Sequence, residues 1–256
     1  MTFRKVIVWL NIFKNLGINL LRLNNFAQAR FLTDRETLIW LKEKNIGITR
    51  FGDGELSYLS GYSFQHQKQE PVLRKKLKKI LTTYNHNSPF LLALPYDICF
   101  NEHQKRNLPK TVWNSAKFSL LPYIKREHVY GSAFCFRISI VLDEEKNEYA
   151  KILLQLFRDK EIMYVGSGEP FPGLISPRYF IKTQPTNAFD EYYQLIEIIN
   201  KRAKEFENPC VLLSCGITAT ALSAELNSMG ILSYDVGLCF THRLAKYIEP
   251  PTNILV

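Results

Sequence analysis

Short apolar runs of strand length alternate along this chain with longer segments whose apolar residues recur at helical spacing, and this alternation restricts the fold more than any other feature. Strand-like runs fall at residues 46–51, 90–94, 132–136, 161–165, 179–182, 210–214 and 231–236. Helical patterns fall at 34–44, where Asp34 can cap the first turn, and at 71–84, 145–158, 187–205 and 218–229. The clearest is 71–84, where Val72, Leu73, Leu77, Ile80, Leu81 and Tyr84 recur at helical spacing and Arg74, Lys75, Lys76, Lys78 and Lys79 fill the opposite face. That basic face reads as solvated surface, with a phosphate or membrane patch as the rival reading. Strands separated by helices of this length predict an α/β fold with a single Rossmann-like, doubly wound, mostly parallel sheet. No repeat or low-complexity linker divides residues 30–256, which are expected to form one domain. In such sheets ligands bind outside the carboxyl ends of the strands, so chemistry is sought there.

The first 29 residues stand apart as an amphipathic helical segment. Val6 to Leu21 is apolar but broken by Lys14 and asparagines, and falls short of the roughly 20 residues that span a bilayer. No small-residue cleavage site follows it, which argues against a secretory signal. Two readings stand: a helix docked on the domain's own core, or one lying on a membrane surface through residues 1–25. The five cysteines, Cys99, Cys135, Cys210, Cys215 and Cys239, form no Cys-x-x-Cys pair and sit in apolar contexts. Buried free thiols in a reducing cytoplasm are expected, with the protein either soluble there or peripheral on the inner face of the membrane. A net charge of +9 favours polyanionic partners such as nucleotide phosphates. No zinc spacing or stacking signature points to nucleic acid.

Four strand-end segments carry the candidate chemistry. In Arg50-Phe51-Gly52-Asp53-Gly54-Glu55 the two carboxylates lie two positions apart, so in an extended turn they can share one hard cation, while Gly52 and Gly54 let a diphosphate approach the backbone. A tight acidic surface turn explains the same residues, and Arg50 can neutralise phosphate or pair with Asp53. In Ser214-Cys215-Gly216-Ile217-Thr218-Ala219-Thr220 a strand runs through a glycine turn into a helix start. Its free N–H groups suit an anion, and Thr218 and Thr220 can bind phosphate or simply cap the helix. Gly166-Ser167-Gly168-Glu169 follows another strand, and Glu169 reads equally as general base, sugar contact or exposed loop charge. Gln184-Pro185-Thr186-Asn187 opens a helix, with Thr186 or Asn187 as cap. The histidines form neither a zinc pair nor a serine-triad arrangement.

In order along the chain, Arg50-Phe51-Gly52-Asp53-Gly54-Glu55, the strand and loop 162–168, Pro185-Thr186-Asn187-Ala188-Phe189, Gly216-Ile217-Thr218-Ala219-Thr220 and Asp235-Val236-Gly237 resemble the motif series of the GT-D glycosyltransferases, a bacterial family of surface-glycan and adhesin glycosylation. The resemblance implies a single α/β domain in which Asp53 and Glu55 hold a divalent metal, Mn2+ or Mg2+, and the nucleotide sugar. Arg137 keeps the arginine of a family Ser-Arg pair, here Phe136-Arg137. Ile217 replaces a family proline, Glu169-Pro170-Phe171-Pro172-Gly173 replaces a glycine- and acid-rich family loop, and Leu238 stands where the family ends Asp-x-Gly-His. His242, four residues on, is the nearest histidine.

These readings predict a hexosyltransferase that moves sugar from a UDP-hexose to a hydroxyl of a surface glycan or glycoprotein. Asp53 and Glu55 hold the metal. Arg50, Gly52, Gly54, Arg137, Gly166, Gly216, Thr218 and Thr220 bind donor and cofactor. Glu169, Asp97 or Asp235 takes the acceptor proton. Two rivals are a non-catalytic glycosyltransferase-like subunit that binds nucleotide or a partner, and a metal-dependent phosphate-transfer enzyme using the same turns.

Overall fold

The computed structural model describes residues 25, 28–63, 66–95, 120–137, 141, 145–170 and 175–240. In chain order the strands and helices are β1 (Arg30–Phe31), α1 (Asp34–Lys44), β2 (Gly47–Arg50), α2 (Asp53–Leu59), α3 (Pro71–Thr83), β3 (Phe90–Leu94), β4 (Val129–Ser132), α4 (Lys146–Gln155), β5 (Glu161–Gly166), β6 (Tyr179–Lys182), α5 (Tyr192–Ala203), β7 (Pro209–Ser214), α6 (Ile217–Ser228) and β8 (Ser233–Asp235). Short 3-10 turns at Leu121–Tyr123 and Ala188–Glu191 precede β4 and α5. All eight strands form one sheet in the order β1-β4-β3-β2-β8-β7-β5-β6, and every pairing is parallel.

Both faces of this sheet are covered, which is why its strands read as continuous apolar runs. Leu92 and Leu94, Met163 and Val165, and Val211 and Leu213 point to one face, where α3, α5 and α6 contribute Leu73, Leu77, Leu195, Ile199, Leu222 and Leu226. The alternate residues Leu91 and Ala93, Ile162 and Tyr164, and Cys210 and Leu212 point to the other, against Leu38 and Leu41 of α1 and Tyr149 and Leu153 of α4. The period-two alternation of strand side chains thus fills two cores at once. No helix among the described residues is long and apolar enough to cross a membrane.

Helix α6 is buried nearly all round, and its small residues let it lie close on the sheet. Gly47 of β2 sits beneath it. A methyl group at this position would come within 2.4 Å of the Asn227 side chain and of the Ser233 carbonyl oxygen. Asn227 cannot readily give way, because its amide donates to the Ser223 and Ser233 carbonyls and accepts from the Ser233 N–H. Gly47→Ala is therefore expected to destabilise the domain by about 1–3 kcal/mol through overpacking, read as a lower urea midpoint.

Several boundaries differ from the sequence expectation. Asp34 is the first helical residue of α1 and not its cap. Thr33 caps the helix, accepting from the Glu36 N–H while the Glu36 carboxylate accepts from the Thr33 N–H. Residues 133–136, expected as strand, form a turn that follows β4. The glycine-flanked acidic segment, expected as an extended turn, is the first turn of α2. The helix expected from 187 begins at Tyr192, and Asn187 precedes it in the left-handed conformation, φ 54°. The N-terminal amphipathic segment lies almost wholly outside the described residues, as do Asp97, Cys99 and His242. The other four cysteines are buried free thiols.

Candidate active site

The strand order places the site. β2, β3 and β4 extend the sheet to one side, the chain then crosses over, and β7 and β8 fill in beside β2. The crevice expected at such a switch in winding direction lies at the carboxyl ends of β2 and β8. A cleft of about 570 Å³ opens there, within the range of roughly 300–1,000 Å³ usual for ligand sites. Segments following β2, β4, β5, β6, β7 and β8 all contribute to it, including Arg50 and Asp53, Ala133 and Arg137, Ser167, Gln184 and Thr186, Gly216, and Gly237.

At its floor lies an ion pair. Arg50 Nη2 donates to Asp235 Oδ1 at 3.0 Å, with both side chains largely buried. Arg50 Nη1 donates to the Ala133 carbonyl at 2.8 Å, and the guanidinium lies 5.7 Å from the centre of the Phe136 ring. The Thr220 hydroxyl bridges Asp235 Oδ2 at 3.2 Å and the Arg50 carbonyl at 3.1 Å. Burial works against the Arg50 charge, but the facing Asp235, with lesser help from Cys135 and Glu55, outweighs it and holds the guanidinium firmly protonated. The pair ties the end of β2 to the end of β8, the start of α6 and the turn after β4. Gly237 makes room for it: its φ is +54°, and a side chain there would begin 2.5 Å from Arg50 Nη2. Thr220→Val, which keeps the shape but removes the bridge, is expected to cost about 1–3 kcal/mol, measured by denaturant unfolding.

Asp53 and Glu55 stand above this floor, on the first turn of α2. The helix separates the two side chains instead of aligning them as an extended turn would. Glu55 Oε2 turns back to accept the Gly52 N–H at 2.7 Å, as an acid three residues into a helix commonly does. Asp53 is exposed to the cleft. Enclosure in the cleft, and then the negative charge of Asp235, push the Glu55 carboxyl up to about 7, against the Gly52 hydrogen bond and the Arg50 charge. The folded protein therefore keeps a proton that the unfolded chain has released above its ordinary value of 4.5. The stability this contributes is complete below that value and is lost as pH rises through about 7. Glu55→Gln is expected to flatten the pH dependence of the unfolding midpoint across that window in metal-free buffer.

Among the described residues no group of three His, Cys, Asp or Glu side chains could cage a metal ion. Asp53 and Glu55 instead match the sparser mode of Mg2+ and Mn2+, in which one or two carboxylates suffice and phosphate oxygens and water complete the shell.

The other predicted residues divide. Arg50, Gly52, Gly54, Arg137, Gly216 and Asp235 line the same cleft. Gly216, at φ +63°, precedes the uncapped N-terminus of α6, where Ile217 also faces the cleft. Thr218 and Thr220 do not line it; both are fully buried, Thr220 in the bridge described above and Thr218 against Gln67. Gly166 is not among the cleft-lining residues, whereas its neighbour Ser167 is. Glu169 is exposed and is not among the cleft residues. The motif reading missed His66 and Gln67, which line the cleft from the loop between α2 and α3. No periodicity marks them, since they arrive through tertiary hydrogen bonds to residues 187–189.

The sequence model of the glycosyltransferase GT-D fold matches residues 48–242, which take in every cleft-lining segment. The chain belongs to the GT-D family. A probable glycosyl transferase, Gly, of Streptococcus gordonii is 26% identical over 223 residues, 82% of this chain and 32% of that protein. The glycosyltransferase GlyD of Streptococcus pneumoniae is 24% identical over 214 residues, 79% of this chain and 26% of that protein. This GT-D chain thus spans about a third or less of the curated relatives it matches. Among solved structures, a domain of unknown function 1792 superposes with a TM-score of 0.72 at 25% identity, covering 87% of this chain and 83% of that one. A structure from Streptococcus sanguinis described as a new glycosyltransferase gives 0.69 at 25% identity, covering 83% and 82%.

Proposed function

We propose that this GT-D protein is a metal-dependent hexosyltransferase that takes a UDP-sugar as donor and a hydroxyl of a surface glycan or glycoprotein as acceptor. The observation that carries the reading is the meeting, in one cleft, of the acidic first turn of α2 with the open, glycine-preceded N-terminus of α6 and the arginines Arg50 and Arg137. An anionic donor diphosphate suits the N–H groups and positive dipole end of α6. Gly216 and Gly54 have no atom within 4 Å of where a side chain would begin, so the backbone at both is open to close approach. Asp53 and Glu55 would hold the cation, which when bound supplies Lewis-acid neutralisation of charge on the leaving diphosphate. Arg50, fixed by Asp235 and the Ala133 carbonyl, adds a charge that needs no rearrangement during reaction. Arg137, stacked on Phe134 at 5.2 Å, contributes at the rim. The names of the streptococcal relatives support transfer over the rival reading as a phosphate-transfer enzyme.

The test is incubation with Mn2+ or Mg2+ and a panel of UDP- and TDP-sugars, following nucleotide release and sugar transfer. Metal-dependent turnover with at least one donor is expected. Donor binding without turnover would favour the non-catalytic subunit, and neither binding nor turnover with any donor would reject the reading.

A further inference from the structure

The ionisable groups that line the cleft among the described residues have, with one exception, a place in the site already. Asp235 is buried and accepts from both Arg50 and Thr220. The Cys215 thiol is pushed far above its ordinary range by burial. Asp53 and Glu55 are the carboxylates assigned to the cation, and the guanidiniums of Arg50 and Arg137 have no lone pair to offer. The exception is His66, an exposed residue that lines the cleft.

Hydrogen bonds to Asn187 fix the backbone at its carbonyl and just after it. The His66 carbonyl accepts the Asn187 N–H at 2.7 Å, and the Asn187 side-chain oxygen accepts the Lys68 N–H at 2.9 Å. Between them Gln67 is buried, its side-chain oxygen facing the Phe189 N–H and the Thr218 hydroxyl, each at 3.4 Å. The left-handed backbone of Asn187 turns the segment before α5 so that these bonds can form. An exposed histidine is thereby carried on a hydrogen-bonded backbone in the same cleft as the acidic turn and the α6 N-terminus.

We propose that His66 is a catalytic residue, the group that takes the proton from the acceptor hydroxyl. The inference rests on the transfer reading above. The acceptor O–H proton passes to an imidazole ring nitrogen, and the oxygen electron pair forms the bond to the anomeric carbon of the donor sugar. The bond from that carbon to the diphosphate oxygen breaks, its electron pair leaving with the diphosphate, and the imidazolium then releases its proton to solvent. Imidazole suits this role because it exchanges protons near neutral pH.

Water can stand in as acceptor, so the test does not need the natural one. Binding of UDP-sugars in the presence of Mn2+ is measured by calorimetry, and UDP release into water is followed for the full chain and for His66→Asn, His66→Gln and His66→Ala. Donor affinity is expected to stay within about threefold while release falls about 10²- to 10⁴-fold, with added imidazole restoring part of the rate in His66→Ala. Unfolding midpoints of the variants are expected to match the parent, since the side chain is exposed. Release within about threefold of the parent, or a loss of donor affinity that accounts for the loss of rate, would overturn the assignment of His66 alone. Absence of donor binding and release in the parent protein would overturn the transfer reading and the His66 assignment with it.

Discussion

Asp235→Ala is expected to lower the stability of the domain by about 3–5 kcal/mol, because it leaves the Arg50 guanidinium buried without its counter-charge. For a chain of this size each kcal/mol corresponds to roughly 2–4 °C in Tm, so a fall of about 6–20 °C is expected. The loss has two parts. Arg50 loses the acceptor at 3.0 Å, and Thr220 loses one of its two. Asp235→Asn keeps an oxygen for one of these donors but removes the charge, and should fall between the parent and the alanine variant. Arg50→Met combined with Asp235→Leu removes both charges together, and is expected to be less destabilising than Asp235→Ala alone. Denaturant unfolding of the four proteins checks this order of stabilities. A loss below about 1 kcal/mol in Asp235→Ala would place the pair with ordinary surface ion pairs and contradict its burial.

The pair also illustrates what could be read from the sequence and what could not. The parallel sheet was legible because strands buried on both faces must be apolar at every position, and the intervening helices must carry an apolar stripe. The four-residue β2 and the six-residue β7 emerge this way, close to their expected bounds. β1 has only two residues and offers no pattern to read. α2 was hidden by its own glycines, which disfavour helix. It forms because Glu55 satisfies the Gly52 N–H and because Leu56 and Tyr58 bury in the core. The turn at 133–136 is apolar enough to pass for a strand, yet the Ala133 carbonyl faces the Arg50 guanidinium instead of a neighbouring strand.

The site followed the same division. Arg50, Asp53, Glu55 and Gly216 announced themselves through glycines and acids at strand ends, and the fold brings them into one cleft. Thr220 carried a motif signal, but the structure gives its hydroxyl to Asp235 and the Arg50 carbonyl, at the base of the site. That Asp235 is paired with Arg50, 185 positions away, could be inferred only once β2 and β8 were known to be neighbours. His66 and Gln67 had no signal at all, because what places them is the conformation of Asn187.

Asp53→Ala and Glu55→Ala are each expected to reduce donor turnover by about a thousandfold or more, corresponding to the loss of about 4 kcal/mol of stabilisation of the leaving diphosphate. The two variants should differ in what else they disturb. Asp53 is exposed and its carboxylate has no part in the Glu55–Gly52 hydrogen bond, so its removal is expected to leave the unfolding midpoint nearly unchanged. Glu55 satisfies the Gly52 N–H, so its removal should cost about 0.5–2 kcal/mol as the loss of a helix-terminal hydrogen bond. Glu55→Gln keeps an oxygen for that N–H and should recover most of the stability but little of the turnover, since a neutral amide is a poor ligand for a hard cation. Cation binding must also displace the proton that Glu55 retains up to about 7, so apparent Mn2+ affinity should fall as pH drops below that value, by up to about tenfold per unit. Calorimetric Mn2+ titrations of the parent protein and Glu55→Gln between pH 5.5 and 8 check this in the same window, roughly bracketing the neutral range where Glu55 titrates. Full turnover in either alanine variant, or Mn2+ affinity independent of pH in the parent, would remove the carboxylates from the role of metal ligands.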